Sequence, residues 1–192
     1  MTGAGWQAEL RSAVIGSLRL AKGDRRGLAC FERTEEGFWR SFAAGVLCYP
    51  FYLVLLALRV GAAQREAAGV VPIVVIETIA YVIAWVAFPL IMLSVLRWIG
   101  REHRFFDFMV AYNWCQLPQS VLFVLIGLDQ ESGFLGDPIS QIVEVAAGIA
   151  VLIYEWYIAR VALETNGGVA TLVVVIDLVL GLVVSRAAGS LY

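Results

Sequence analysis

The chain has 192 residues, 60% of them hydrophobic and 16% charged, with a formal net charge of −2 and a mean hydropathy of +0.80. A chain this apolar is excluded as a soluble domain of ordinary composition. Five segments, at about 41–59, 70–96, 105–127, 138–162 and 168–187, are long enough for a hydrocarbon core, which takes about 20 residues at about 1.5 Å rise each.

The sequence divides into an N-terminal segment, 1–40, and a membrane bundle, 41–192. Within the first part, "WQAELRSAVIGSLRLAK" places Trp6, Leu10, Val14 and Leu18 at helical spacing, with Arg11, Arg19 and Lys22 among the polar positions. That pattern predicts an amphipathic helix lying on the membrane, with Trp6, Arg11, Arg19 and Lys22 as its surface contacts. The alternative is a short helix packed on the ends of the bundle. The segment has neither a run of closely spaced bases nor a stacking platform, so no nucleic acid is expected as a partner. Its charges and its lack of an apolar h-region argue against a cleavable leader. Next, "GDRRGLACFERTEEGFWRSF" leads into the first span. Thr34 is the expected helix cap, Glu35 and Glu36 suit the first turn, and Phe38, Trp39 and Phe42 are expected at headgroup level.

Charge distribution gives an expected orientation. With the N-terminus cytoplasmic, Arg11, Arg19, Lys22, Arg25, Arg26, Arg33, Arg40, Arg97, Arg101, Arg104 and Arg160 fall on that side, eleven of fourteen basic residues. Arg59, Arg65 and Arg186 fall on the other, and the connection "LDQESGFLGDP" has acids and no base. The positive-inside rule then favours N-in, C-out.

Polar side chains interrupt four of the spans: Glu77 in the second, Asn113 and Gln116 in the third, Glu144 and Glu155 in the fourth, Asp177 in the fifth. An ionised carboxylate at mid-membrane costs roughly 2.5 to 3.5 kcal/mol on insertion scales, so all six are expected to face the bundle interior. Glu77 and Glu144 lie at similar depth near the outer face and could form one layer. Asn113, Gln116 and Asp177 lie nearer the middle, and Glu155 nearer the cytoplasm. Glu144 and Glu155 are 11 residues apart, close to whole turns, so they share a face. With no Lys or Arg deep in any span, most of the carboxylates are expected to be neutral. Two roles stay open: hydrogen-bonded glue between helices, at about 0.6 kcal/mol per contact, or a proton or cation pathway.

Pro50, Pro89 and Pro118 lie within the first three spans. Each removes a backbone donor, so a kink and a freed carbonyl are expected at each. Gln116, Gln119 and Ser120 are close enough in sequence to help satisfy the gap at Pro118. Asn166-Gly167-Gly168 marks the turn between the last two spans.

Chemistry-bearing motifs are few. The single histidine, His103, sits among Arg101, Glu102 and Arg104, and the three cysteines, Cys30, Cys48 and Cys115, are widely spaced. Neither a metal site nor a disulfide framework follows, no cofactor is expected, and the chain reads as non-enzymatic. A paired intramembrane aspartate site is excluded as well, because only Asp177 lies well inside a span.

Five closely spaced spans, the third-span stretch "FFDFMVAYNWCQLPQSVLFVLIGL" with Tyr112 and Leu117-Pro118, and the lead-in "FERTEEGFWRSFAAGVLCYPF" together resemble the Ypt-interacting protein (Yip) family. The resemblance implies a five-helix bundle acting in membrane organisation or trafficking, with Rab-type GTPases as partners of eukaryotic members. The expectation is therefore an all-α polytopic bundle of five transmembrane helices with an interfacial N-terminal helix. Its partners would be the bilayer and a protein or a second copy of itself. The Ala, Gly and Arg-rich composition points to a bacterial cytoplasmic membrane. A small proton- or cation-coupled transporter using the intramembrane carboxylates is the rival reading.

Overall fold

The computed structural model describes residues 3–192, and among them the regular structure is all helical. In chain order the helices are α1 (Gly3–Ala21), α2 (Glu35–Ser41), α3 (Ala43–Arg59), α4 (Ala62–Ala68), α5 (Val70–Trp98), α6 (Phe105–Ser132), α7 (Asp137–Ala162) and α8 (Gly167–Gly189). A 3-10 turn, Arg25–Cys30, follows α1. Five helical runs are long and apolar enough to cross a membrane: Glu35–Arg59, Val70–Trp98, Glu102–Ser132, Asp137–Ala162 and Gly167–Gly189. The chain is a multi-pass membrane protein, and the five spans correspond to the five apolar segments of the sequence.

Local signals set the helix ends. Thr34 caps α2, its hydroxyl accepting from the Gly37 amide at 3.0 Å, and Glu35 and Glu36 fill the first turn. A side chain at position 37 would place its Cβ 1.8 Å from the Glu32 carbonyl oxygen, so only glycine lets the chain pass there. Asn166 caps α8 by accepting from the Val169 amide at 3.0 Å, which draws Gly167 and Gly168 into the helix's first turn. Gly69, Gly100, Gly133 and Gly136 take positive φ at the breaks between spans.

α6 is the centre. It is the least apolar of the five spans and the most enclosed, with Phe108 through Cys115 all buried. α3, α7, α1, α2 and α5 pack around it, while α8 packs on α5 and α7. This placement explains why the polar residues of the third span are tolerated: Asn113 is buried and Gln116 half-buried among the surrounding helices. Pro50, Pro89 and Pro118 each sit inside a helix that continues past them. At Pro118 the expected amide rescue does not occur. The Ser120 hydroxyl donates to the Gln116 carbonyl at 2.9 Å, and the buried Gln119 side-chain nitrogen has no partner.

The N-terminal helix packs on the bundle. Its inward face is Trp6, Leu10, Ala13, Gly16, Ser17 and Leu20, and the Trp6 ring lies 6.0 Å from that of Trp114. Trp6 is therefore half-buried against the bundle rather than turned wholly toward the membrane surface. Val14, Ile15 and Leu18 turn outward instead, beside exposed Arg11, Arg19 and Lys22. Small residues determine this rotation: a Cβ at Gly16 would lie 2.9 Å from the Gly27 carbonyl oxygen, and one at Gly27 would lie 2.6 Å from that of Gly16. The Tyr154 hydroxyl donates to the Ser17 carbonyl at 2.8 Å and that of Tyr157 to the Gly23 carbonyl at 2.5 Å. Arg40 ties the segment together, bridging Glu9 at 3.3 Å, Glu36 at 3.0 Å and also Glu32. Burial raises the Glu9 carboxyl above its ordinary value even with Arg40 beside it. Phe38 also turns inward, against Phe105 and Phe106, while Trp39 stays exposed and stacks on Phe42.

Candidate functional site

α3, α5, α6 and α8 line a partly open cavity of about 260 Å³. Asp177, near the middle of α8, is its only acidic lining residue, and Asn113, Gln116 and Ser120 of α6 line it with Tyr52, Tyr81, Trp85 and Phe88. The Tyr112 hydroxyl, from α6, donates to Asp177 Oδ1 at 2.6 Å. No Lys or Arg among the described residues is paired with Asp177. From α7, Glu155 is buried in the bundle but does not line the cavity. α6 and α8 thus bring a carboxylate and a phenol together, a pairing that sequence depth alone did not give.

The other polar residues of the spans are held differently. Asn113 Nδ2 donates to Ser41 Oγ at 2.8 Å, and Ser41 passes a hydrogen bond on to the Phe38 carbonyl at 2.7 Å. Asn113 therefore ties α6 to the end of α2, which is a structural use. Gln116 faces the cavity.

Glu77 overturns two expectations. The Arg59 guanidinium reaches it at 2.8 Å from the last turn of α3, so it has the basic partner that the spans were expected to lack. The Tyr52 hydroxyl and, at 2.5 Å, that of Tyr192 donate to the same carboxylate. The signal was present: Arg59 ends the first span at the side where the second begins, and a long arginine side chain can reach inward along the helix. Glu144 does not join Glu77 in a layer and does not face the interior. It is exposed and accepts from Gln130 Nε2 at 2.6 Å. The spacing puts Glu144 and Glu155 on one side of α7, but buried residues are sparse in its first half, Ser140 and Ala147, and dense in its second, where Val151, Tyr154, Glu155, Ile158 and Ala159 are buried.

Tyr52 joins the two polar groups, lining the cavity and donating to Glu77. The aromatic wall is held in place: the Tyr81 hydroxyl donates to the Gly45 carbonyl at 2.7 Å, and a Cβ at Gly45 would lie 3.0 Å from the Trp85 ring. At the bundle end carrying α1, Arg25, Arg26, Arg33 and Arg160 line a second, open depression with Glu164. Arg104 bridges Glu164 and Asp107 there, and Arg160 lies over the Trp156 ring at 5.1 Å.

Fold and site define a multi-pass helix bundle with a carboxylate-bearing aromatic cavity inside it. No protein-family model, curated protein or solved structure matches the chain.

Proposed function

We propose that this is a non-enzymatic, Yip-like membrane-organising protein of a bacterial cytoplasmic membrane, with its N-terminus in the cytoplasm. The observation that supports this reading is the seating of α1. It docks against α6 and α7 on its small-residue face and turns Val14, Ile15 and Leu18 outward, with Arg11, Arg19 and Lys22 beside them. A helix with an apolar outer face flanked by bases lies at the headgroup boundary of an anionic leaflet. It widens the protein in that leaflet only, and such asymmetry favours curvature. The test is reconstitution into anionic vesicles at rising protein density, with diameters read by electron microscopy. Wild type narrows the vesicles, and Val14→Glu with Leu18→Glu, both exposed positions, restores the protein-free diameter. Equal diameters for wild type and variant would sink the reading.

A second reading is supported by the cavity. Asp177 lines it, a carboxylate at mid-span of the kind that a small proton- or cation-coupled transporter uses. Vesicles carrying a pH-sensitive dye test this directly: a proton flux in wild type that is absent from Asp177→Asn supports transport, and equal leak in both rejects it.

A further inference from the structure

The cavity at Asp177 combines two features that each select a kind of ligand. One is a carboxylate whose hydrogen-bond partner in the protein, Tyr112, is neutral. A carboxylate held partly away from water is stabilised by an opposite charge, and no Lys or Arg among the described residues pairs with half-buried Asp177. The other is a wall of aromatic faces. Tyr52 and Tyr81 have ring centroids 4.8 Å apart, Trp85 lies 6.0 Å from Tyr81, and Phe88 stacks on Tyr112 at 4.4 Å. Aromatic faces attract cations, most strongly those that shed water easily, and a desolvated site strengthens the attraction. A small metal cation requires about six oxygen ligands, whereas this cavity is lined mainly by ring carbon and aliphatic side chains.

We propose that the cavity is a binding site for an amphipathic organic cation, an ammonium group bearing an apolar substituent. The charged head lies against Asp177 and between Trp85, Tyr81 and Tyr112, and the apolar part extends toward Phe123 and Leu180. Entry is from the bilayer beside Gly181. That residue is exposed and lines the cavity, and a Cβ there would meet nothing within 4 Å. The walls need little rearrangement, because Tyr81, Trp85 and Tyr52 are already held by Gly45 and Glu77. The inference deepens the transport reading by naming its ligand class, but binding does not depend on movement.

The test uses the full-length protein in maltoside detergent, free of choline headgroups, titrated with benzyltrimethylammonium and, in parallel, with its neutral carbon isostere neopentylbenzene. Binding is followed by calorimetry. Wild type binds the cation saturably, with the isostere at least about tenfold weaker. Asp177→Asn, an isosteric change, weakens the cation to the level of the isostere, and Glu144→Gln, outside the cavity, leaves it unchanged. Equal affinity of wild type for cation and isostere overturns the proposal with no variant needed, as does Asp177→Asn binding at full strength. The two readings fail separately. Binding without an Asp177-dependent flux in vesicles keeps the site and rejects transport, and such a flux without benzyltrimethylammonium binding rejects the site and keeps transport.

Discussion

Arg59 and Glu77 form an ion pair across the ends of α3 and α5, at 2.8 Å, in which the carboxylate is 2% exposed and the guanidinium 51% exposed. The asymmetry decides what each substitution does. Arg59→Ala leaves a buried carboxylate with only phenols as donors, whereas Glu77→Gln leaves a half-exposed arginine free to meet headgroups or water. Arg59→Ala is expected to cost about 1–3 kcal/mol, Glu77→Gln less, and the double variant less than Arg59→Ala alone. Thermal unfolding in detergent across this double-mutant cycle checks the order. Additive losses would mean that the pair is not coupled.

Tyr192 shares that carboxylate, and its phenol lies beyond the last span. Burial first, and then the Glu77 carboxylate, raise it above the ordinary phenol value of 10.0. A raised acid contributes stability that is fully present below its unfolded value and lost as pH climbs through its folded value. The stability gap between wild type and Tyr192→Phe is therefore expected to be constant up to about pH 10 and to shrink above it. A gap that vanished at neutral pH would show that the C-terminal contact does not form.

Gly16 is where α1 meets the turn that follows it. A Cβ there would lie 2.8 Å from that of Cys30 and 2.9 Å from the Gly27 carbonyl oxygen. Gly16→Val therefore forces α1 off its seat, with an overpacking cost of about 1–3 kcal/mol. Hydrogen exchange of residues 6–21 in the detergent-solubilised protein is expected to quicken strongly, with the spans unaffected. Unchanged protection would contradict the docked position of α1.

The proposed orientation is checked independently. Arg59, Glu77 and Tyr192 meet at one end of the bundle, whereas α1, Arg104 and Glu164 gather at the other. Reporters active on one side of the membrane, fused after Tyr192 and within "DQESGFLGD", should both read non-cytoplasmic. A cytoplasmic C-terminus rejects N-in, C-out.

These cases also show what the sequence made legible. Span positions follow from long, mainly apolar segments broken at points such as Gly100, Gly133 and Asn166, and local chemistry fixes those breaks. Helix rotation is another matter. α1 was readable as a helix, but Trp6, Leu10, Val14 and Leu18 suggested a face centred elsewhere, because Ala13, Gly16 and Ser17 carry little hydrophobic signal while permitting the closest approach. Glu144 and Glu155 share a face by spacing, yet only packing decides which of them is covered. Arg59 was assigned to the span's end, where its backbone lies, although its charge sits with Glu77. Asp177 lies near the middle of α8, but its bond depends on which face of α6 meets α8, which helical spacing alone does not specify.

Asp177 and Tyr112 decide between structural and functional roles. The bond runs from the Tyr112 hydroxyl to Asp177 Oδ1 at 2.6 Å, with Tyr112 8% exposed. The tyrosine donates, so position 177 needs an acceptor and not a charge. Asp177→Asn retains a carbonyl oxygen there and is expected to unfold within about 0.5 kcal/mol of wild type. Asp177→Leu leaves the buried phenol unpaired and is expected to cost on the order of 1 kcal/mol or somewhat more. Tyr112→Phe removes the need, so Asp177→Leu in that background should cost less than in wild type. Function separates differently, because an amide can neither release a proton nor hold a cation. If Asp177 is interhelical glue alone, Asn preserves every property of the protein and Leu impairs them in proportion to stability. If the cavity works on a cation, Asn is as damaging as Leu to binding while remaining as stable as wild type. Measuring unfolding and benzyltrimethylammonium binding on the same preparations of the two variants distinguishes these outcomes, and loss of stability in Asp177→Asn equal to that in Asp177→Leu would show that the charge itself holds α8 to α6.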